Sequence, residues 1–187
     1  MLPVELVTPS ARLRPWRTAD RAALLRHADD PAVAHHLRLL PHPYDAAAAD
    51  TWLAYAAADP PPEGVWAIDV GGEAVGCVAL ERGTDVERCV LEVGYWLGRA
   101  FWGRGLASEA LAAVTQAAWA EPDVTRVHAF VFAGNPASMR VLEKAGYRRE
   151  AVLARAGVKD GRAFDRVVYA ATRDTGLPYT PAPPARA

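Results

Sequence analysis

A strand-like run, a turn of small residues and a helical stretch follow one another between residues 90 and 119, and this succession most constrains the fold. In residues 95–107, YWLGRAFWGRGLA, small residues alternate at Gly103, Gly105 and Ala107. Where such a turn opens a helix, unpaired backbone N–H groups and the helix dipole favour a phosphate, and small side chains let it approach. The pattern predicts a backbone anion site, with a turn shaped only for packing as the alternative.

The same turn does not match two common nucleotide sites. A dinucleotide-binding turn lies near the start of its βαβ unit, whereas this turn lies in the middle of the chain. A nucleotide-hydrolase loop needs Gly-Lys-Ser or Gly-Lys-Thr, and neither occurs. The predicted anion therefore belongs to another class of ligand.

A second boundary between strand and helix lies at Asn135. A β-rich run, 127–132, precedes Asn135 and Pro136, and a helical pattern continues as far as Gly146. Asn caps helix N-termini, Pro is favoured at the first helical position, and Gly commonly follows the last turn. The sequence therefore predicts a helix of about ten residues whose first turn, with Ser138, is placed to carry chemistry.

The remaining periodicities predict the order β-α-α-β-β-β-α-β-α-β. Helices are expected from Thr18 or Asp20 and after Asp45, and the segment 155–162 reads as a loop. Gly71-Gly72-Glu73 is expected to join two strands as a hairpin, because adjacent glycines permit positive φ angles. The expected strands are 12–16, 65–70, 74–82, 89–97, 124–132 and 163–172.

Four segments resemble the GNAT superfamily of N-acetyltransferases, and most closely its ribosomal-protein N-terminal acetyltransferase branch. They are ARLRPWRTADRAALLRHADDPAV (11–33), EVGYWLGRAFWGRGLASEAL (92–111), NPASMRVLEKAGYRREA (135–151) and VKDGRAFDRVVYA (158–170). The resemblance implies an α/β (α+β) fold with a mixed, mostly antiparallel, splayed β-sheet and helices on both faces. It implies one acetyltransferase domain over residues 1–175, and residues 176–187 read as a flexible Pro-rich tail.

Composition and charge exclude several kinds of partner and site. The 187 residues are 51% hydrophobic and include 21 basic and 22 acidic side chains. This balance fits a globular domain and leaves no basic footprint for nucleic acid or an anionic membrane. Cys77 and Cys89 lack metal or redox spacing, so we expect no metal and two reduced, buried thiols. No run resembles an export signal or a membrane span, which predicts a cytoplasmic location.

The resemblance implies that the chain binds acetyl-CoA as a co-substrate. The family pattern of Gln or Arg, two variable residues, Gly, one variable residue, then Gly or Ala is matched at Gly105 and Ala107, whereas Trp102 replaces the Gln or Arg. Arg104 is expected either to assist the diphosphate or to be a solvated surface residue. Strand backbone is expected to bind the amide-bearing arm as an added strand. The implied binding residues are Tyr95, Trp96, Leu97, Trp102, Gly103, Arg104, Gly105, Leu106, Ala107, Ser108, Asn135 and Ser138.

Glu92 is the expected general base. The attacking amine must lose a proton, and Glu92 lies in the otherwise apolar run VLEVGYWL, where partial burial favours proton uptake by a carboxylate. The resemblance implies a bulge in this strand that aims a backbone N–H at the thioester oxygen, and Gly94, two residues later, is consistent with such a bulge. The alternative for Glu92 is a half-exposed strand residue paired with an arginine.

Ser138 is the expected group beside the sulfur of coenzyme A. Many family members place a tyrosine seven residues after the helix-opening Asn, but that position here is Leu142. The resemblance to the N-terminal acetyltransferase branch implies Ser138 in this role, with a serine that serves only its own helix as the alternative. Tyr147 reads as a core residue.

The histidines give no convincing catalytic pair. His35, His36 and His42 flank the expected acceptor side, where they either contact the acceptor or pack structurally. His128 lies on a predicted strand and reads as structural.

These features predict an acetyl-CoA-dependent N-acetyltransferase that moves the acetyl group directly to a primary amine in a ternary complex, since neither cysteine supports an acyl-enzyme. The acceptor would be a protein N-terminus or a small amine, and the protein a monomer or homodimer. One alternative uses succinyl-CoA or another short acyl-CoA with a metabolite, polyamine or antibiotic acceptor. An alternative of another class is an acyl-CoA-binding module without turnover.

Overall fold

Eight strands form one sheet in the computed structural model, which describes residues 1–174 and residue 176. The strands are β1 Leu6–Val7, β2 Arg12–Arg14, β3 Val65–Val70, β4 Glu73–Arg82, β5 Val90–Leu97, β6 Arg126–Phe132, β7 Arg148–Lys159 and β8 Arg162–Thr172. The helices are α1 Arg21–Ala28, α2 Pro31–Ala34, α3 Ala46–Ala56, α4 Leu106–Trp119 and α5 Pro136–Lys144. The expected tail, 176–187, lies outside the described residues apart from Gly176.

The strand order is β1-β2-β3-β4-β5-β6-β8-β7, and every neighbouring pair is antiparallel except the parallel pair β5 and β6. Helices α4 and α5 contribute Leu111 and Leu142 to a core on one face of the sheet. Helices α1 and α3 contribute Leu24 and Leu53 to a second core on the opposite face. The predicted mixed, mostly antiparallel sheet with helices on both faces is therefore confirmed.

Local signals account for the element boundaries that bear on the site. Asp45 caps α3 by accepting a hydrogen bond from the Ala48 N–H at 2.9 Å, as expected for an N-cap carboxylate. The β3–β4 hairpin turns through Gly71 and Gly72, whose φ angles of 62° and 92° favour glycine. The predicted α3 start and hairpin are confirmed.

The predicted element order omitted β1, α2 and β7. Part of the segment 155–162 that was expected to be a loop belongs to β7, which pairs only with β8 at the edge of the sheet. Its residues are exposed from Arg148 to Arg155, and its register with β8 shifts between Leu153 and Gly157. Because neither face of this stretch is buried, no alternation of apolar and polar residues marks it in the sequence.

The two cysteines differ in their burial. Cys77 is buried and free, but the free thiol of Cys89 is only partly buried, so the expectation of two buried thiols is wrong for Cys89. Across the part of the chain that is described, no helix combines the length and apolarity needed to cross a bilayer.

A buried ion cluster ties β2 to β3 and to the start of α1. The Arg14 side chain is 1% exposed. Its guanidinium donates to both carboxylate oxygens of Asp20 at 2.8 and 2.9 Å, and to Asp69 at 2.6 Å. The same carboxylates accept from the backbone N–H groups of Arg17 and Gly72, both at 2.8 Å. Removal of the arginine would leave two buried carboxylates without their counter-ion.

We expect Arg14→Ala to lower the free energy of unfolding by about 3–5 kcal/mol, the usual cost of leaving buried charges unpaired. Urea denaturation followed by circular dichroism measures this change. Arg12→Ala on the same strand is the matched control, because Arg12 pairs with Glu5 at the surface and such a pair contributes about 0–1 kcal/mol. Equal losses in the two variants would contradict this account of the cluster.

Candidate active site

Strands β5 and β6 separate in the middle of the sheet. Their parallel ladder ends at the pair Glu92 and His128. Beyond this point β5 remains paired with β4 as far as Leu97, and β6 remains paired with β8 as far as Phe132. The backbone groups of β5 that face β6 after Glu92 are therefore available to a ligand.

The separation of the strands arises differently from what the sequence predicted. Gly94 pairs one-to-one with Ala79, and the ladder between β4 and β5 has no register shift around it. The expected bulge at Gly94 is therefore absent from this ladder. The two strands part because β5 follows β4 while β6 follows β8, so each keeps its partner on the outer side.

A cleft of about 950 Å³ occupies the space between the separated strands. Its walls include residues 92–97 of β5, residues 129–132 of β6, the first turns of α4 and α5, and the segment 36–41. All of the expected cofactor-binding residues line it except Arg104: they are Tyr95, Trp96, Leu97, Trp102, Gly103, Gly105, Leu106, Ala107, Ser108, Asn135 and Ser138. The structure thus brings together two segments that the sequence separates by about 30 residues.

Helix α4 begins at the cleft with unpaired backbone donors. Gly105 is its N-cap residue, and Gly103 and Gly105 have φ angles of 74° and 83°. These left-handed conformations favour glycine and turn the chain directly into the helix. The first N–H with an intrahelical acceptor is that of Glu109, which donates to the Gly105 carbonyl at 3.0 Å. The N–H groups of residues 106–108 therefore have no intrahelical acceptor, and they and the helix dipole favour an anion. Arg104 is exposed, with its guanidinium 5.1 Å from the centre of the Phe101 ring.

Trp102 connects this turn to the end of β5. Its indole N–H donates to the carbonyl oxygen of Leu97 at 2.8 Å, while 46% of the residue is exposed. Trp102, which replaces the family's Gln or Arg, therefore links the start of the turn to the end of β5. No pattern in the sequence predicts this contact.

The first turn of α5 carries a pair of hydroxyl groups. Asn135 caps the helix by accepting from the Ser138 N–H at 3.0 Å, as predicted. The Tyr95 hydroxyl lies 2.8 Å from the Ser138 hydroxyl and donates to the Ser138 carbonyl at 3.1 Å. Burial raises the pKa of Tyr95 to about 12, against the opposing effect of the Ser138 hydrogen bond, so its hydroxyl stays protonated at neutral pH.

Leu142 of α5 and Tyr147, just after this helix, both lie in the core. Leu142 is fully buried in the core, so no tyrosine hydroxyl reaches the cleft from that position. Tyr147 is also buried, and its hydroxyl lies 2.6 Å from that of Thr115, as expected for a core residue. Tyr95 on the neighbouring strand supplies the hydroxyl instead, and sequence reasoning considered only its backbone.

Glu92 lies where the two strands part. Its carboxylate is 31% exposed and lies 3.8 Å from the His128 Nε2 and 3.9 Å from the guanidinium of Arg38. The sequence anticipated an arginine partner as the alternative to catalysis, and the structure gives Glu92 both an arginine and a place in the cleft. Its role as a base remains a prediction.

His128 is a further functional candidate, although its place on a predicted strand had indicated only a structural role. Its imidazole is 18% exposed, and within the described residues its Nδ1 has no hydrogen-bond partner. Burial lowers the pKa of His128, and the negative charge of Glu92 opposes this shift. A neutral imidazole therefore lies beside the carboxylate. The parallel register of two strands distant in sequence creates this pair.

A second cavity of about 540 Å³ continues from the cleft on the face of the sheet that carries Glu92 and His128. Glu92 and Phe130 line both spaces. Carboxylates of Glu81 and Glu87 also line the second cavity. Two arginines line it as well, but Arg82 pairs with Glu121 and Asp123, and Arg126 pairs with Glu150. The cavity offers a protonated amine a negatively charged approach to Glu92.

Of the three histidines expected on the acceptor side, His36 lines the cleft. Burial lowers the pKa of His36, and the charges of His35 and Lys159 act in the same direction. His35 is exposed and its ring lies 4.8 Å from that of His36. His42 lies 3.2 Å from Asp29 and does not line the cleft.

Metal ligation has no support in this site. Among residues 1–174 and 176, no group of three or more His, Cys, Asp or Glu side chains is arranged to hold an ion.

The sequence profile of the acetyltransferase (GNAT) domain matches residues 11–148, which include β5, α4, β6 and α5. The chain therefore belongs to the GNAT acetyltransferase family. The uncharacterized N-acetyltransferase YoaA of Bacillus subtilis strain 168 is 35% identical over 78 residues. That match covers 42% of this chain and 44% of YoaA, so the chain spans less than half of this relative's length.

Solved structures agree with the fold. A GNAT-family acetyltransferase from Bacillus anthracis superposes with a TM-score of 0.79 at 19% identity, covering 90% of this chain and 98% of the other. Mycobacterium smegmatis RimJ in complex with CoA-disulfide superposes with a TM-score of 0.75 at 25% identity, covering 94% and 88%. RimJ thus binds a coenzyme A derivative on a fold that this chain shares.

We expect Glu92→Gln to lower the pKa of His128 further, because the Glu92 charge stabilises the imidazolium form. An NMR titration of the imidazole Cε1–H signal measures this pKa. Glu109→Gln is the matched control, since the Glu109 carboxylate accepts hydrogen bonds from Ser10 elsewhere. An unchanged His128 titration in Glu92→Gln would show that the two groups are not coupled.

Proposed function

We propose that this chain is an acetyl-CoA-dependent N-acetyltransferase that transfers the acetyl group directly to a primary amine in a ternary complex. The observation that carries this proposal is the single cleft in which Glu92, the Tyr95 and Ser138 hydroxyls and the N-terminus of α4 meet. Family membership and the CoA-bound RimJ neighbour support a coenzyme A thioester as the donor. The acceptor is a protein N-terminus or a small amine.

The backbone supplies the donor-binding groups. The N–H groups of residues 106–108 bind the diphosphate at the N-terminus of α4. The β6-facing edge of β5 binds the amide-bearing arm as an added strand. An N–H on this edge beyond Glu92 stabilises the negative charge that develops on the thioester oxygen.

Glu92 and His128 receive the proton that the attacking amine loses. The acceptor enters through the second cavity, where it meets Glu92 on the face that also carries His128. Glu92 accepts the proton directly or through a water molecule, and the neutral imidazole beside it stores or passes on the proton. The carboxylate and the imidazole together thus act in place of one general base.

Ser138 and Tyr95 stabilise the departing sulfur. The Tyr95 hydroxyl stays protonated at neutral pH, and it shares a hydrogen bond with the Ser138 hydroxyl at 2.8 Å. The Ser138 hydroxyl can donate its proton to a thiolate, while the Tyr95 hydroxyl, which donates to the Ser138 carbonyl, holds this serine in position. This arrangement compensates for the apolar Leu142.

The alternatives from sequence remain distinguishable by experiment. A short acyl-CoA other than acetyl-CoA would use the same backbone cradle, so donor panels separate it from acetyl-CoA. A binding module without turnover would retain affinity for coenzyme A but release no thiol with any amine. The coexistence of a proton acceptor and hydroxyl donors in one cleft favours catalysis over this module.

We expect thiol release from acetyl-CoA with an accepted amine, and a loss of at least about tenfold in kcat for Glu92→Gln and Ser138→Ala, equivalent to ~1.4 kcal/mol each. A panel of N-terminal peptides, polyamines and amino sugars, read by a thiol-reactive dye, measures this. Tyr95→Phe should also lower kcat, since it removes one of the paired hydroxyls.

Glu5→Gln is the matched control for Glu92→Gln in this panel. Glu5 pairs with Arg12 at the surface, away from the cleft. Its kcat should equal that of the unaltered protein. Binding of acetyl-CoA without thiol release from any donor and acceptor would overturn the proposal in favour of the binding module.

The α4 cradle is tested separately by Gly105→Ala. A side chain at this left-handed position costs about 1–2 kcal/mol and shifts the donors of the first turn, so the Kd for coenzyme A should rise. Isothermal titration calorimetry measures this Kd. Gly161→Ala is the control, because Gly161 has a similar φ of 72° in the turn between β7 and β8 and should lose stability without losing affinity. Equal affinities of the two variants would contradict the cradle.

A further inference from the structure

Arg166 on β8 lies at the cleft without a polar partner. Arg166 is partly buried. Its guanidinium carbon lies 5.5 Å from the centre of the Phe130 ring and 5.9 Å from that of the Phe164 ring. Within the described part of the chain it makes no salt bridge and no side-chain hydrogen bond. The two rings hold the guanidinium by stacking while leaving its N–H groups free.

This absence of a polar partner distinguishes Arg166 from the other arginines that are not exposed. Arg14, Arg82 and Arg126 each bind carboxylates. Arg173 donates to backbone carbonyl groups. A guanidinium that is partly withdrawn from water normally finds an acceptor, so the free fork of Arg166 indicates that a substrate supplies one.

Arg166 faces the acceptor side of the sheet. It pairs in register with Phe132, two positions along β6 from Phe130, so it shares the face of Glu92 and His128. Helix α4 packs on the opposite face, against residues such as Val93 and Val131. A diphosphate at the N-terminus of α4 therefore lies on the other side of the sheet from the Arg166 side chain.

The charges that line the cleft support an anionic group in the substrate. Glu92 is the sole carboxylate among the described lining residues, and it has Arg38 and His128 as neighbours. Arg140 and Lys144 line the cleft from α5, on the expected coenzyme A side. Arg166 is the remaining cation, and its planar fork matches a carboxylate in a bidentate manner.

We propose that Arg166 binds a carboxylate carried by the substrate pair and thereby selects the substrate class. This inference rests on the proposed function, because it assigns a group to the same cleft. The carboxylate has two possible sources, which are an acidic group near the reacting amine of the acceptor and the far end of a dicarboxylic acyl donor. In both cases the stacked guanidinium positions the substrate, while Glu92 receives the proton.

The test compares substrates that differ only in one carboxylate. The acceptor arm uses amidated peptides with a free N-terminus and either Asp or Asn at the second or third position, with acetyl-CoA as donor. The donor arm uses succinyl-CoA and butyryl-CoA with the Asn peptide. Rates are measured for the unaltered protein and for Arg166→Gln and Arg166→Lys.

We expect kcat/KM for the carboxylate-bearing substrate of one arm to exceed that of its neutral partner by about tenfold or more, as for a charge-assisted bidentate contact. Arg166→Gln should abolish this preference while leaving the neutral substrate within about twofold, and Arg166→Lys should restore it in part. A preference in the acceptor arm identifies an acidic acceptor, and one in the donor arm identifies a dicarboxylic acyl group.

Two controls keep the result interpretable. Arg162→Gln removes the same charge from the exposed start of β8 and should change neither preference. The Kd of coenzyme A should be equal in Arg166→Gln and the unaltered protein. A weaker Kd, or equal loss with charged and neutral substrates, would overturn the assignment by showing a donor-binding or structural role.

Failure of the proposed function has a different signature. If no acceptor is turned over, the Asp and Asn peptides are titrated calorimetrically into the protein saturated with coenzyme A, and succinyl-CoA and butyryl-CoA into the free protein. A carboxylate preference that Arg166→Gln removes would support the Arg166 site without catalysis. Absence of any such preference in binding and turnover would overturn it.

Discussion

The end of the β5–β6 ladder at Glu92 and His128 is the constraint on which the remaining site depends. Parallel strands normally continue side by side, but here each strand keeps its antiparallel partner on the outer side and loses the one between them. The same point frees backbone donors, opens the cleft and brings a carboxylate next to an imidazole. The shape of the cleft and the pairing of its titratable groups therefore both result from the register of β5 and β6.

The two turns that open α4 and α5 could be predicted from the sequence because their signals are local. The glycines at 103 and 105 and the Asn-Pro pair at 135 and 136 act within a few residues, and the structure has helices beginning at both places. Backbone conformation and capping depend on near neighbours. The grouping of the two segments in one cleft came from the family resemblance rather than from either signal alone.

The contacts that join remote parts of the site could not be predicted in the same way. The contact of His128 with Glu92, the hydroxyl pair of Tyr95 and Ser138, and the stacking of Arg166 each join elements that are remote in sequence. No periodicity records which strands become neighbours or at which register. Strand β7 was not predicted for a related reason, since an exposed edge strand has no buried face that would require apolar and polar residues to alternate.

The indole of Trp102, which holds the carbonyl of Leu97, affects the thermodynamics of ligand capture. A loop that becomes ordered only on binding spends part of its interaction free energy on lost conformational entropy. Here a side chain of the connection between β5 and α4 already bonds to the end of β5, so this connection is held in place before a ligand arrives. Affinity at this end of the cleft then reflects contacts formed, with little reorganisation of the chain.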